Sequence, residues 1–166
     1  MIEGRVWRYG DDVNTDVIFP GKYTYQPLTP EEMATHALED LDPSFAKEVK
    51  PGDVIVAGTN FGCGSSREQA ATCLKAAGVA AVIAKSFSRI FFRNAINNGL
   101  PVIELKEGID EIEKGDTVKI DFQNGIVIHE GNEYHFPALP AEVLAILEDG
   151  GLIPHVRKEL GKEKYP

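Results

Sequence analysis

The amino-acid sequence predicts an α/β fold with a parallel core and a C-terminal hairpin. Two apolar runs, at 54–57 and 79–84, are each followed by a helical pattern, and this alternation is typical of a parallel sheet covered by helices. The last third of the chain instead alternates polar and apolar residues on either side of Asn124-Gly125, a dipeptide typical of tight hairpin turns. No repeat, linker or low-complexity tract interrupts residues 1–166, so we expect a single domain.

Hydrophobic periodicity and turn residues place the individual elements. Glycines at 78, 99 and 150–151 stand where helices are expected to end, since glycine adopts the left-handed conformation that closes many helices. The expected order is a strand at 2–9, a polar loop at 10–16, an apolar run at 17–20, a strand at 54–57, a helix at 66–77, a strand at 79–84, a helix at 89–98, a strand at 101–105, hairpin strands at 117–122 and 126–129, a short strand at 133–136 and a helix at 140–148.

A further helix is expected between the first two strands. Thr29 suits the N-cap, Pro30 the first turn, and Glu32 stands three residues after Thr29, at the spacing of a capping box. The pattern predicts a helix that runs to about Leu41. Asp42, ahead of a proline, predicts the start of another short helix.

Composition and charge limit the classes of partner. The chain has 17 basic and 26 acidic residues, a formal charge of −9, which argues against nucleic-acid binding driven by overall charge. No apolar run approaches the length of a membrane span, and residues 1–5 lack the layout of a signal peptide. We therefore expect a cytoplasmic protein that contacts neither membrane nor nucleic acid, and that holds any anionic substrate in a local cationic pocket.

The most informative segment is the turn at residues 61–68, Phe-Gly-Cys-Gly-Ser-Ser-Arg-Glu. Ser65 and Glu68 have capping-box spacing, which predicts a helix start whose free N–H groups attract an anion. Arg67 adds a planar cation that can bind a carboxylate through two hydrogen bonds. The segment is therefore interpreted as a carboxylate site with two hydroxyls, on Ser65 and Ser66. An ordinary strand-to-helix turn has a similar composition, but a phosphate-binding P-loop is excluded because no Gly-Lys-Ser/Thr follows.

The two cysteines, Cys63 and Cys73, are too few for an iron–sulfur cluster or a zinc site, so this chain is expected to bind no metal itself. Cys73 falls within a helical pattern and is interpreted as a core residue. Cys63 lies close to a helix start, where a thiol pKa is often lowered, so a thiol enzyme remains an alternative. Surface or structural roles are favoured for the four histidines, at positions 36, 129, 135 and 155.

Other polar residues support weaker hypotheses. The alternation of Asp12, Asn14 and Asp16 resembles calcium ligands, but the glycine and the distant glutamate of a calcium loop are missing, so capping of the loop by these side chains is preferred. For Lys85, Ser86 and Arg89, helix capping and a framework role are as plausible as substrate binding. Arg93 is expected at the surface or at an interface.

Three long motifs together resemble a known family. Residues 10–23 (GDDVNTDVIFPGKY), 56–70 (VAGTNFGCGSSREQA) and 83–100 (IAKSFSRIFFRNAINNGL) are similar to the small subunits of 3-isopropylmalate dehydratase, which correspond to the swivel domain of aconitase. The resemblance covers the first hundred residues densely, and the total length agrees with it. It implies a swivelling β/β/α domain in which helices sandwich the strands.

The resemblance also implies a role in a hydro-lyase of leucine biosynthesis that interconverts 2- and 3-isopropylmalate through an unsaturated intermediate. Ser65 corresponds to the serine that removes the carbon-bound proton, Ser66 to a neighbour that hydrogen-bonds the substrate, and Arg67 to the carboxylate-binding arginine. The family's [4Fe–4S] cluster belongs to a separate large subunit, where one iron acts as a Lewis acid. The expected assembly is a heterodimer or heterotetramer that binds a small hydroxy di- or tricarboxylate.

Substrate choice is expected to depend on a loop at residues 20–29, within which Lys22, Tyr23, Thr24 and Tyr25 are the candidate selecting residues. Homoaconitase-type members tend to carry arginine where this chain has Tyr25, and an aromatic residue suits an isopropyl group better than a third carboxylate. Isopropylmalate is therefore favoured. Homoaconitate remains an alternative because Lys22 could reach the substrate, as does 2,3-dimethylmalate. Outside this class, a non-catalytic anion-binding module and a Cys63 thiol enzyme remain open.

Overall fold

A computed structural model of the chain describes the backbone of residues 1–164 and the side chains of residues 1–161. Seven strands form one sheet in the order β4-β3-β2-β1-β5-β6-β7. The strands are β1 Ile2–Arg8, β2 Val54–Ala57, β3 Ala81–Ala84, β4 Val102–Glu104, β5 Thr117–Asp121, β6 Ile126–His129 and β7 Asn132–His135. The helices are α1 Thr15–Ile18, α2 Pro30–Ala34, α3 Pro43–Glu48, α4 Glu68–Ala76, α5 Arg89–Asn97, α6 Ala141–Glu148 and α7 Leu152–Lys164. Within the described part of the chain, no helix has the length and apolarity to cross a bilayer.

One half of the sheet is parallel, as predicted. Strands β1 to β4 pair in parallel, with Val54 beside Ala81 and Val82 beside Val102. Every residue of β2 and of β3 is buried, which explains why both strands are continuous apolar runs rather than alternating ones. The helices α4 and α5 connect successive parallel strands and cover the sheet.

The other half is antiparallel and contains the predicted hairpin. Strand β1 pairs with β5 in antiparallel register, and β5, β6 and β7 continue as a meander. Burial alternates along β5 and β6, so one face of this half packs on the core and the other faces solvent. The loop between β5 and β6 spans residues 122–125. Gly125 has φ +67°, but Asn124 does not have a positive φ, so the loop is longer than the two-residue turn typical of Asn-Gly.

Two hydrophobic clusters pack on the sheet. The larger joins the helices to the sheet and includes Trp7 and Phe45, whose rings meet edge to face at 5.1 Å. The smaller lies between the antiparallel strands and the segment around Ile109 and Ile112. The first cluster contains most of the aromatic residues and supports the loops that follow the parallel strands.

The helix expected from Thr29 to Leu41 is shorter than predicted. The capping box of Thr29 is confirmed, but α2 ends at Ala34 and residues 35–41 form turns. The backbone N–H of Leu38 donates to the carbonyl of Ile18 at 2.8 Å, and Leu38 adopts φ +56°. This contact between distant segments draws the chain away from the helical path that the local sequence favours.

Two other helices differ from the prediction. The apolar run at 17–20 begins inside a one-turn helix, α1. Asn14 caps this helix, because its side chain accepts a hydrogen bond from Val17 N at 2.9 Å. At the C-terminus, the sequence pattern does not predict α7, because the glycine pair at 150–151 indicates the end of a helix. In the structure this pair joins two helices, α6 and α7. His155 Nδ1 contacts Asp149 Oδ2 at 2.7 Å across that joint.

Candidate functional site

The three loops that follow β1, β2 and β3 meet at one edge of the sheet. Gly58 N donates to the carbonyl of Gly10, and Lys85 N donates to the carbonyl of Gly58, each at 3.0 Å. Ser86 Oγ accepts from Asn60 N at 2.7 Å. Ligands of parallel α/β sheets bind at the carboxyl ends of the strands, so the three sequence motifs converge where a site is expected.

The glycine turn at 61–68 is held by the loop that follows β1. Gly62 N donates to Val13 O at 2.7 Å, and Thr15 N donates to Cys63 O at 2.8 Å. The hydroxyl of Thr15 donates to the carbonyl of Ser65, also at 2.8 Å. These contacts tie the backbone of the turn to the loop after β1, and the side chains at 65, 66 and 68 are exposed.

The predicted capping role of Ser65 is wrong. Helix α4 begins at Glu68, Arg67 occupies the N-cap position, and no side chain caps the helix. The carbonyl of Ser65 instead accepts from Thr15 Oγ1 and from Arg67 N, so the chain bends at Ser65 and reaches an extended conformation at Arg67, with φ −114° and ψ 114°. Both serines are exposed, and neither the Ser65 hydroxyl nor the Ser66 hydroxyl has a hydrogen-bond partner among the described residues. Two free hydroxyls therefore stand beside an uncapped helix N-terminus, which has a partial positive charge.

Arg67 lies against the same turn and is oriented by an acidic residue. Its Nη1 is 2.6 Å from Oδ1 of Asp16, and its side chain is 20% exposed. The contact is an ion pair rather than a directed hydrogen bond, because Nη1 is buried and has no hydrogen-bond partner of good geometry. Gly21 makes room for the guanidinium, since a Cβ there would lie 2.8 Å from Nη1. The sequence interpretation missed Asp16 and Gly21 as partners of Arg67, because their spacing from Arg67 is long and carries no local pattern.

The candidate selecting loop is attached to residues that follow α2. Tyr23 stacks on His36 with ring centroids 3.8 Å apart, and its hydroxyl donates to Glu39 at 3.3 Å. Lys22 Nζ is 3.9 Å from the same carboxylate and lies over the Tyr23 ring. Lys22 is thus paired with Glu39, so the ammonium that kept homoaconitate open as a substrate has an acidic partner within the chain.

The tip of this loop lies close to the start of α4. Gln69 Nε2 donates to the carbonyl of Thr24 at 3.4 Å, which ties the loop to the first turn of that helix. Tyr25 is 98% exposed. An aromatic ring with no contact in the isolated chain is available to a substrate or to a partner subunit.

The cysteines do not fit a metal cluster or a reactive thiol. Cys73 is buried, and its thiol is directed at the carbonyl of Ala70, 3.3 Å away. Burial, together with the nearby charge of Asp12, raises the pKa of Cys63, which corrects the expectation that this pKa is lowered. Two thiols, one of them in the core, are too few to hold an iron–sulfur cluster.

Lys85 and Ser88 stabilise the framework around the site. Lys85 pairs with Asp110 at 2.8 Å, and Ser88 caps α5 by accepting a hydrogen bond from Phe91 N. His129 Nε2 lies 2.9 Å from Asp116 Oδ2 at the antiparallel end of the sheet. This pair lies between β5 and β6, away from the loops that form the site.

Comparisons with known proteins place the chain. The aconitase C-terminal domain family matches residues 13–108. A 3-isopropylmalate dehydratase small subunit of Thermotoga maritima is 53% identical over 95% of this chain and 96% of the relative. A methanogen homoaconitase small subunit of Methanothermobacter thermautotrophicus is 52% identical over 96% of this chain and 93% of the relative.

Structural similarity supports the same placement. The crystal structure of a 3-isopropylmalate dehydratase from Methanocaldococcus jannaschii has a TM-score of 0.91 and 45% identity, over 99% of both chains. This confirms the expected aconitase-type swivel fold. The chain therefore belongs to the aconitase C-terminal domain family, in the branch that includes the small subunits of 3-isopropylmalate dehydratase.

Proposed function

We propose that this chain is the small subunit of a hydro-lyase that isomerises 2- and 3-isopropylmalate by removing and re-adding water, as in leucine biosynthesis. The observation that carries the proposal is the pair of free hydroxyls on Ser65 and Ser66, beside Arg67 and the uncapped start of α4. The names of its relatives at 53% identity and the swivel fold support the same reaction.

Ser65 is assigned the proton transfer. Dehydration breaks a C–H bond next to a carboxylate: the proton passes to Ser65 and the electron pair forms the double bond. The adjacent C–O bond breaks with its electrons on the hydroxyl, which takes up a proton from solvent and leaves as water, and Ser65 then returns its proton to solvent. A serine hydroxyl is a weak base, so it must act as an alkoxide stabilised by nearby N–H groups and cations. The absence of a capping side chain at α4 supports this role, because the helix N–H groups are then free to stabilise negative charge.

Ser66 and Arg67 are assigned to substrate binding. Arg67 can hold a carboxylate through its guanidinium, which neutralises the charge that opposes loss of the neighbouring proton. Asp16 supports this assignment because it fixes the guanidinium from one side. The Ser66 hydroxyl, free and exposed, would donate a hydrogen bond to the same substrate.

The substrate is proposed to be isopropylmalate rather than homoaconitate. The aromatic residue at position 25 offers no charge to a third carboxylate, and the cation nearest to it in the loop, Lys22, lies 3.9 Å from the carboxylate of Glu39. Homoaconitate stays a second candidate, because a relative named as a homoaconitase small subunit is nearly as similar as those named for isopropylmalate.

A large subunit that carries the [4Fe–4S] cluster is the proposed partner, in a heterodimer or heterotetramer. The exposed turn at 61–68 and the exposed Tyr25 support an assembly in which a second chain covers this edge of the sheet. This chain contributes proton transfer and carboxylate binding, and the large subunit contributes the rest of the site.

Reconstitution tests the proposal. The purified chain should be colourless and inactive. Anaerobic mixing with a cluster-bearing large subunit should give dehydration of isopropylmalate, which is measured by the absorbance of the unsaturated intermediate. Homoaconitate, assayed with the same complex, distinguishes the second candidate. Turnover by this chain alone in metal-free buffer, or an inactive but fully assembled complex, would contradict the proposal.

A further inference from the structure

A pocket opens beside the start of α5, where the edge strand β4 faces the segment 136–140. Its volume is about 550 Å³, within the range of roughly 300–1,000 Å³ that is typical of small-molecule sites. None of residues 61–68 lines it. Its apolar lining includes Phe87, Phe92, Val102, Ile103, Phe136 and Leu139.

Charged residues stand at the rim of this pocket. Arg89 and Arg93 line it from successive turns of α5, and Glu104 lines it from β4. All three are exposed, and none forms an ion pair or a hydrogen bond through its side chain with any residue that the structure describes. The rim therefore carries one net positive charge on a chain whose formal charge is −9.

The two arginines stand where local electrostatics disfavours them. Arg89 is the first residue of α5, and the first turn of this helix contains no acidic residue. A cation at a helix N-terminus is unfavourable, and so are like charges four residues apart. A bound anion would relieve both effects at once. Local rules are commonly broken in this way at functional sites.

We propose that this pocket binds a small monocarboxylate with an apolar body, such as a branched or aromatic acid of about six to nine carbons. The carboxylate lies between Arg89 and Arg93, near the N-terminus of α5, and the apolar body packs on Phe87, Phe92 and Leu139. Glu104 repels a second carboxylate, so the pocket selects against the dicarboxylates assigned to the Ser65 site. The two sites thus differ in the charge of the ligand they accept.

Titration calorimetry of the full chain tests the proposal with 3-phenylpropanoate and its neutral amide, 3-phenylpropanamide. The acid should bind with a dissociation constant of about 0.1–1 mM, and the amide at least tenfold more weakly because a charged hydrogen bond is lost. Arg89→Gln and Arg93→Gln should each weaken binding of the acid by about tenfold. Arg157→Gln, at an exposed arginine of α7 that does not line the pocket, should leave the affinity unchanged.

A pocket-filling variant provides a second readout. Ala138 is exposed and lines the pocket, so Ala138→Trp should abolish binding of the acid without loss of thermal stability. Equal affinity for acid and amide, or affinity unchanged in both arginine variants, would overturn the proposal. Failure of any carboxylate to bind, while the arginine variants weaken association with the large subunit, would also overturn it and would assign this surface to the subunit interface.

Discussion

Arg67 links the parts of the candidate site more directly than any other described residue. Its guanidinium lies against the carboxylate of Asp16 and against the backbone of Gly21, and its own backbone N–H donates to Ser65 O. Arg67 thus connects the loop after β1, the selecting loop and the turn at 61–68. Under the proposed function, the orientation of a bound carboxylate depends on this arrangement.

Arg67→Lys tests whether orientation matters beyond charge. Lysine keeps the positive charge but loses the planar pair of donors, so KM for isopropylmalate should rise by about ten- to a hundredfold in the assembled enzyme. Arg157→Lys is the control, at an exposed arginine remote from the turn, and should change KM by less than about twofold. A KM in Arg67→Lys that equals the control would show that Arg67 does not bind the substrate.

Asp53 illustrates how a single buried carboxylate stabilises the sheet. It is 5% exposed and accepts hydrogen bonds from Trp7 Nε1 at 2.9 Å, from Arg5 at 3.0 Å and from Lys50 N at 2.9 Å. Burial alone would raise the pKa of Asp53, but these hydrogen bonds outweigh it and lower the pKa below its ordinary value. The ionised form is therefore favoured by folding.

This shift predicts the acid dependence of stability. Because the folded pKa is lowered, the contribution of Asp53 is complete above the unfolded value of about 3.9 and is lost as pH falls through the folded value. Asp53→Asn should reduce the free energy of unfolding by about 1–3 kcal/mol at neutral pH, and this deficit should shrink below about pH 4. Urea unfolding between pH 2.5 and 7 measures both, with the exposed Asp40→Asn as control. A deficit that does not vary with pH would contradict the assignment.

Among the elements, α4 shows where local sequence and tertiary structure disagree. The Ser65–Glu68 spacing predicts a capping box, but Thr15 binds the Ser65 carbonyl from another loop, and the helix begins only at Glu68. The parallel strands, the hairpin and the helix ends at glycine were predictable, because they depend on local periodicity and turn chemistry. The uncapped helix start, the Asp16–Arg67 pair and the early end of α2 were not, because each depends on contacts between residues far apart in sequence.

Two glycines of the turn at 61–68 allow the cost of backbone strain to be distinguished from the cost of close packing. Gly62 and Gly64 both have positive φ, at +81° and +95°. A Cβ on Gly62 would lie 2.3 Å from Phe91 Cβ, whereas the nearest atom to a Cβ on Gly64 is Thr15 Oγ1 at 3.5 Å. Gly62→Ala should therefore be less stable than Gly64→Ala by about 1–3 kcal/mol, which is the cost of overpacking alone. Equal midpoints in urea unfolding would show that α5 can move away from the turn.

The selecting loop is the element to which we assign the choice of substrate. Tyr25→Arg should shift preference from isopropylmalate towards homoaconitate, because the guanidinium pairs with the third carboxylate and matches an isopropyl group poorly. The ratio of kcat/KM for the two substrates should change by about ten- to a hundredfold, whereas Tyr25→Gln should lower activity on isopropylmalate without a gain on homoaconitate. A ratio unchanged in Tyr25→Arg would mean that this exposed residue does not face the substrate.

At the scale of the whole molecule, the proposed site lies at one edge of the sheet. The two serines assigned to it are exposed, Arg67 is partly buried, and two cysteines are too few for a cluster. Neither serine hydroxyl is paired with a base among the residues described. Under the proposed function, a second subunit closes over the turn at 61–68 and completes the site.

The central claim is that Ser65 transfers the substrate proton within the assembled enzyme. The most direct measurement is kcat of the complex formed by Ser65→Ala with the large subunit, compared with Cys63→Ala, two residues away on the same turn. Ser65→Ala should lower kcat by about two to four orders of magnitude without loss of assembly, because its hydroxyl has no partner within the described chain, whereas Cys63→Ala should keep most of the activity. Near-normal turnover in an intact Ser65→Ala complex would contradict the account.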